Sequence, residues 1–177
     1  MKTTNRTHYL VQAGLIAAAY AAATYLCALW GLAYGEVQFR FSEALMVLAL
    51  FTPAAIPGLT IGCVIANLGS PFGLIDIVCG SFATLIAVIG MWLIRDWKVK
   101  IGKERINLIA PMLPVISNAI IVGLEISAFM PEGLSWACFA AAALSVGFGE
   151  LVVCYGLGIP LSILLDHLPV LKTGKKK

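Results

Sequence analysis

Long stretches without a charged side chain restrict the fold of this sequence more than any other feature. No Asp, Glu, Lys or Arg lies between Arg6 and Glu36, or between Glu43 and Asp76. A helix of about 20 apolar residues crosses a bilayer. Only 12% of the chain is charged, against about 25% in soluble domains. The sequence therefore predicts an all-α membrane protein that forms a single transmembrane domain over residues 1–177.

Six apolar segments are separated by polar loops or turns. Helices are predicted over residues 9–30, 42–52, 54–68, 74–94, 108–129 and 134–168, with a basic tail at 169–177. Helices two and three are short, because about eleven helical residues cover roughly half of a hydrocarbon core. They form either two short helices or a re-entrant hairpin. In the last segment, Gly156, Gly158 and Pro160 predict a kink or the end of the regular helix.

Basic residues indicate which helix ends face the cytoplasm. With the N-terminus inside, eleven of the twelve Lys and Arg residues lie in cytoplasmic segments, and Arg40 is the exception. This distribution follows the positive-inside rule, so both termini of a multi-pass cell-membrane protein are expected in the cytoplasm. A cleaved signal peptide is the alternative for the first segment, but the apolar run through Trp30 is too long for one.

Acidic residues within or beside the apolar segments are the candidates for a functional site. They are Glu36, Glu43, Asp76, Glu125, Glu132 and Glu150. Ionisable groups at membrane depth are costly, and they usually face a cavity or a partner. Glu36 and Glu43 belong to a polar island, residues 36–43, that also holds Gln38 and Arg40. We expect this island to form part of a binding site on the outer side of the membrane.

Several of these acids also have a purely structural explanation. Glu43 and Asp76 fall in the first turns of predicted helices, where the helix dipole favours an acid. Arg40 is then only the counter-ion of Glu43 or Glu36, and Glu132 is simply solvated in its turn. These explanations stay open at the level of the sequence, and a structural pair can still line a site.

Two acids in the last two predicted helices are harder to explain in this way. Glu125 lies about one turn from the outer end of its helix, with Asn118 on the same face. Two polar side chains in an apolar helix favour a polar path inside the bundle over contact with lipid. Glu150 lies near the middle of a long apolar run. A buried pair with another helix is the alternative to a ligand contact for Glu150.

Small residues at helical spacing mark surfaces on which helices approach closely. In the first segment they form a predicted subunit-docking face that comprises Ala17, Ala18, Ala21 and Ala22. Either another helix of this chain or another subunit covers that face. Gly58 and Gly62 form a GxxxG pair, which predicts close packing of the third segment against a neighbouring helix.

Several classes of protein are excluded by what the sequence lacks. The two histidines, His8 and His167, lie at opposite ends, and the five cysteines occur singly in apolar segments. Neither a Ser/His dyad nor a metal site is expected. A glycine-rich phosphate loop is absent as well, so we expect no ATP hydrolysis, no cofactor and no enzymatic activity of this chain. The net charge of +3 does not indicate nucleic-acid binding, because the basic residues are distributed as the predicted membrane orientation requires.

Five motifs resemble the QueT family in the same order along the chain. They are QFRFSEAL at 38–45, ANLGSPFGLID at 66–76, GSFATL at 80–85, NAIIVGLE at 118–125 and GELVVCY at 149–155. The resemblance implies a substrate-binding S component of an energy-coupling factor (ECF) transporter, with six transmembrane helices. Such a protein lies in membrane lipid and works with a transmembrane coupling subunit and two ATPase subunits.

The resemblance also implies a ligand and where it binds. The ligand is a queuosine precursor, a 7-deazaguanine such as preQ1, or queuine. It is held near the outer face by the later helices and by loops that correspond to 31–41 and 67–73. The docking motif on the first helix maps to Ala18-xxx-Ala22 or its neighbours. One carboxylate can accept N1–H and the exocyclic amine of the base together, and the aminomethyl cation of preQ1 suits a second acid.

The expected substrate-binding residues are Gln38, Phe39, Arg40, Glu43, Asn67, Asp76, Asn118, Glu125 and Glu150. Two of the four acids are expected to contact the ligand, and the amide side chains to complete the base edge. Phe39, Phe41 or Phe72 is expected to cover the ring, and Arg40 to orient an acid.

Two other functions stay open at this point. The first is a stand-alone proton-coupled carrier or channel, in which Glu125 and Glu150 relay protons. The second is an S component for a different vitamin, which would share the fold but not the ligand. A purely structural membrane subunit is the weakest alternative, because it does not need so many outward-facing acids.

Overall fold

The computed structural model describes residues 2–34, 39–102, 104–131 and 133–168. Its elements are α1 (Lys2–Leu29), a 3-10 helix (Phe41–Leu50), α2 (Ala55–Asn67), α3 (Leu74–Leu93), β1 (Val99–Ile101), β2 (Glu104–Ile106), α4 (Met112–Phe129), α5 (Trp136–Val153), a π-helical segment (Cys154–Gly158) and α6 (Ile159–His167). The protein is therefore mainly helical, as predicted.

Four helical stretches in the described part of the chain are long and apolar enough to cross a membrane. They are Arg6–Leu29, Leu74–Leu93, Met112–Phe129 and Trp136–His167. The 3-10 helix and α2 are apolar but shorter, which confirms the prediction of two short helices in this region. Of the six predicted apolar segments, four thus have spanning length.

The fifth of the six predicted segments starts later than its hydropathy indicates. It was predicted from residue 108, but α4 begins at Met112. Before it, the side chain of Asn107 accepts hydrogen bonds from the backbone N–H groups of Ile109 and Ala110. Pro111 follows as the N-cap residue of α4. This side-chain turn competes with helix, so the apolar residues before Pro111 stay outside α4.

Glycines bring α1 and α2 into close contact. A Cβ atom at Gly62 would lie 2.9 Å from the carbonyl oxygen of Ala17, and one at Gly58 would lie 2.8 Å from that of Ala13. The GxxxG prediction of close packing is therefore confirmed, and the partner helix is α1 of the same chain.

This packing covers part of the predicted docking face of α1. Ala17 and Ala21 are each only 5% exposed, because α2 covers their side of the helix. Ala18 and Ala22 are exposed, and Gly14 has no atom of another element near its Cβ position. Only one half of the predicted face is free for a second subunit.

The basic stretch after α3 contains a β-hairpin that the sequence analysis did not predict. Val99 pairs with Ile106 across the two strands, and Gly102 in the turn has φ +61°, a conformation that favours glycine. Lys98 Nζ lies 2.9 Å from Asp166 Oδ1, which joins the hairpin to α6. In the sequence, the short VKI and ERI segments on either side of this glycine were the signal for a hairpin.

The last long helix changes its hydrogen-bonding pattern where an irregularity was predicted. Between α5 and α6 the chain is π-helical over Cys154–Gly158. A Cβ atom at Gly158 would lie 3.2 Å from Val47 Cγ1, so the 3-10 helix packs closely against this segment. Single π-helical turns inside long helices frequently occur at functional sites.

Candidate functional site

Arg40 connects three parts of the chain at one end of the bundle. Its side chain is 5% exposed. Nε donates to the carbonyl oxygen of Ala33 at 2.8 Å, and Nη1 donates to Asn67 Oδ1 at 3.2 Å. Nη2 lies 3.5 Å from Asp76 Oδ2 as an ion pair. One guanidinium therefore holds together the loop after α1, the end of α2 and the start of α3.

The acid paired with Arg40 is Asp76, which corrects the sequence analysis. That analysis named Glu43 or Glu36 as the counter-ion; Glu36 lies outside the described residues. Burial is the largest single influence and lowers the pKa of the Arg40 guanidinium, but Asp76 and the neighbouring Tyr20, Cys63 and Glu43 together outweigh burial and raise this pKa above its ordinary value. Arg40 is therefore a fixed positive charge, and Asp76 is more than a capping acid in the first turn of α3.

Asn67 is buried and bridges Arg40 to α3. Its Nδ2 donates to the backbone oxygen of Asp76 at 2.9 Å, while its Oδ1 accepts from Arg40. Gly80 makes room for this bridge, because a Cβ atom there would lie 2.5 Å from Asn67 Nδ2 and 3.2 Å from Asp76 Oδ1. The glycine of the GSFATL motif thus accommodates a polar bridge at the site.

Glu43 lies one turn after Arg40, in the 3-10 helix, and is buried. The hydroxyl of Tyr20 donates to its Oε1. Beside this pair, Thr24 Oγ1 donates to Ser42 Oγ at 2.7 Å. The sequence analysis missed Tyr20. Its only signal was a large side chain with a polar tip in an alanine-rich helix, and such side chains usually find a partner when they are buried.

Glu150 forms the interhelical pair that was the structural alternative for it. Asn118 Nδ2 on α4 donates to its Oε1 at 2.7 Å, and Cys154 Sγ donates to its Oε2 at 3.5 Å. Asn118 and Glu125, which the sequence places on one face of α4, are both buried. Asn118 donates its hydrogen bond to Glu150 on the next helix.

Glu125 has a different environment from the other acids. It is 5% exposed, and neither Oε1 nor Oε2 has a hydrogen-bond partner among the described residues. The charges of Asp76 and Arg40 act on it. Glu125 is thus buried, close to the Arg40–Asp76 pair, and has two unused acceptor oxygens.

Arg40, its ion-pair partner Asp76 and two further acids carry buried polar atoms without a hydrogen-bond partner. In the part of the chain that the structure describes, such atoms are Arg40 Nη2, Glu43 Oε2, Asp76 Oδ1, Ser81 Oγ and both carboxylate oxygens of Glu125. Arg40 acts electrostatically on Glu43, Glu125 and Glu150 in addition to its partner Asp76. A buried polar group without a partner costs about 1–3 kcal/mol, so this arrangement is suited to a polar ligand and unsuited to a purely structural role.

Comparisons with known proteins identify the family of this chain. The chain matches the QueT transporter family over residues 10–167. It belongs to that family. It is also 37% identical, over 82 residues, to the "Queuosine precursor transporter QueT" of Lactococcus lactis subsp. cremoris (strain MG1363). The matched region is 46% of this chain and 48% of that relative, about half of each. No solved structure matches the chain at a significant level.

Aromatic residues of this QueT family member flank the Arg40 cluster. Phe39 contacts Phe148 of α5 edge-to-face, with ring centroids 6.4 Å apart. Phe72 lies 5.5 Å from Phe129 at the end of α4. Phe41, a further candidate for covering a ligand ring, is exposed. Each pair joins a loop residue to a residue of a helix.

The structure thus brings together most of the site residues that the sequence indicated. Arg40, Asn67 and Asp76 are in direct contact. Glu43, Glu125 and Glu150 are coupled electrostatically to Arg40, and Asn118 is bound to Glu150. Gln38 lies outside the described residues. Ser81 is a new candidate, and only its burial without a partner distinguishes it. Among the described residues, no group of three His, Cys, Asp or Glu side chains could hold a metal ion.

Proposed function

We propose that this chain is the substrate-binding S component of an ECF transporter and captures a queuosine precursor at the outer face of the cell membrane. The observation that carries the proposal is the cluster of unpartnered buried atoms around Arg40. A ligand with several N–H donors offsets the cost of burying those acceptors. A 7-deazaguanine such as preQ1 has this donor pattern, and the curated relative is named a queuosine precursor transporter.

The charge of the cluster supports a ligand with a cationic group. Four acids are coupled electrostatically to the single guanidinium of Arg40 in the described part of the site, and Asp76 is in direct contact with it. A surplus of acids in a pocket attracts positive charge, and charge-assisted hydrogen bonds to carboxylates are strong ones. The aminomethyl group of preQ1 supplies such a cation. In this proposal the Arg40 end of the bundle faces outward, as the distribution of Lys and Arg predicts.

A thermal-shift screen of the purified chain in detergent tests the ligand. We expect preQ1, preQ0 or queuine to raise the melting temperature, since a ligand at 100 times its Kd stabilises the folded state by about 2.7 kcal/mol. Riboflavin and thiamine serve as control ligands. A shift with one of those vitamins and none with any deazaguanine would indicate an S component of different specificity. Uptake of preQ1 by the chain alone in liposomes, driven by a pH gradient, would indicate a proton-coupled carrier instead.

The exposed side of α1 supports the proposed docking of the coupling subunit. α2 covers the Ala17 and Ala21 side of α1, whereas Ala18 and Ala22 are exposed together with Gly14. A side-chain-poor helix face allows another helix to approach closely within a bilayer. In the proposed assembly, the coupling subunit binds this face and connects the chain to two ATPase subunits.

Ala18→Leu is expected to abolish co-purification with the coupling subunit, because the larger side chain separates the two helices. The ligand-induced rise in melting temperature is expected to persist, since Ala18 is exposed. Ala141→Leu is the matched control, because Ala141 is an exposed alanine on α5. Equal co-purification of the two variants would contradict docking through this face.

A further inference from the structure

The carboxylate oxygens around Arg40 differ in whether the chain already uses them. Glu150 accepts from a neighbour at each oxygen. Glu43 accepts from the Tyr20 hydroxyl at Oε1, and Asp76 directs Oδ2 at Arg40. At most one oxygen of each of these three acids is free for a ligand.

Glu125 is the exception among the described acids of the cluster. Both of its oxygens lack a hydrogen-bond partner within the described residues, although the residue is only 5% exposed. Val122 and Ile126, on either side of it in α4, pack with Ala83 of α3. The Asp76 and Arg40 charges act on the carboxylate. Glu125 therefore faces the interior of the cluster.

Two free oxygens on one carboxylate match a specific donor pattern. A planar edge with two parallel N–H groups can bind both oxygens at once, as in the bidentate pairs between guanidinium and carboxylate groups. An acid with one oxygen occupied accepts only one of the two N–H groups. In a purine-like ring this double donor is the N1–H and exocyclic amine of a guanine-type base. Hypoxanthine-type bases lack the amine, and adenine-type bases lack N1–H.

We propose that Glu125 binds the N1–H and exocyclic amine of the ligand together and thereby selects guanine-type bases. This assignment rests on the proposed function. Arg40 Nη2 makes no hydrogen bond among the described residues, although it forms an ion pair with Asp76 Oδ2 at 3.5 Å, and it suits the carbonyl oxygen next to N1 on the same edge. Asp76 Oδ1 is then left for a cationic substituent. Glu125 is a specificity-determining residue in this arrangement.

Binding of two ligands that differ only in the exocyclic amine tests the assignment. The ligands are 7-deazaguanine and 7-deazahypoxanthine, and Kd is measured by isothermal titration on the full chain in detergent. The wild type is expected to prefer 7-deazaguanine. Glu125→Gln is expected to weaken 7-deazaguanine binding by at least about 30-fold, because an amide offers one acceptor and two donors. The preference between the two ligands is expected to disappear. Glu104→Gln is the control, since Glu104 lies in the hairpin next to His167.

The melting temperature without ligand distinguishes recognition from a structural role. Glu125→Gln removes a buried carboxyl group that has no hydrogen-bond partner among the described residues, so the ligand-free variant is expected to melt at the same temperature or higher. A lower melting temperature, or failure to fold, would mean that the chain itself uses the carboxylate, and would overturn the assignment. A variant that keeps the wild-type preference would also overturn it while leaving the proposed function intact. Wild-type protein that binds neither ligand would overturn both.

Discussion

Replacing Asp76 with Asn is expected to lower the free energy of unfolding by about 3–5 kcal/mol, the cost of leaving one member of a buried ion pair without its partner. The Arg40 guanidinium is 5% exposed and has its closest anion in Asp76. Asparagine keeps the shape of the side chain but not its charge. Unfolding in SDS, followed by circular dichroism in mixed micelles, measures the difference.

Asp96→Asn is the matched control for this substitution. Arg95 and Asp96 also form an arginine–aspartate pair, with a separation of 3.7 Å, but the Asp96 side chain is 75% exposed. Exposed pairs contribute about 0–1 kcal/mol, so the control is expected to unfold close to the wild type. If both variants lost the same small amount of stability, the Arg40–Asp76 pair would not be the element that holds this end of the bundle together.

Replacing Gly80 with Val is expected to raise the Kd for the deazaguanine ligand by about 100-fold, which corresponds to about 2.7 kcal/mol. The new Cβ atom would lie 2.5 Å from Asn67 Nδ2, so the Asn67 side chain has to move. Its hydrogen bonds to Arg40 and to the Asp76 backbone are then lost, and each unsatisfied buried group costs about 1–3 kcal/mol. Isothermal titration of the variant gives the change in Kd.

Gly90→Val tests whether any valine in α3 has this effect. Gly90 lies in the same helix, but a Cβ atom there would meet only the terminal methyl of Leu113, at 3.0 Å. A flexible side-chain end can shift at little cost, so ligand affinity is expected to stay within about threefold of the wild type, below about 1 kcal/mol. Similar losses in both variants would show that helix distortion, and not the Asn67 bridge, controls binding.

Both predictions follow because the polar residues at this end of the bundle have two different roles. Arg40, Asn67 and Asp76 are fastened to each other and to backbone atoms of three elements. Around them, further acceptor atoms are buried without partners in the described chain. The three connected residues make this end of the bundle rigid. The acceptors without partners lower the stability of the folded chain until a ligand supplies hydrogen-bond donors. Protein sites that bind ligands commonly combine a rigid support with locally unfavourable groups.

Local patterns in the sequence were sufficient for the positions of the helices. The hydropathy of the chain located the long helices and the two short ones, and Gly58 with Gly62 indicated a close contact. The hairpin at 99–106 was missed, because three-residue strands in a basic stretch carry too few apolar residues for a clear alternation. The late start of α4 was missed as well, because a side-chain turn at Asn107 outweighed the apolar residues that follow it.

The sequence by itself determined that this is a helical membrane protein whose acids cluster in a few motifs, since hydropathy and residue spacing act within one segment. Only the tertiary structure decided which acid pairs with which donor. It assigned Asp76 to Arg40, Tyr20 to Glu43 and Asn118 to Glu150, and it left both oxygens of Glu125 without a described partner. The physical reason is that each of these partners comes from a different helix or loop, so the pairing depends on how the elements pack and not on their order in the chain.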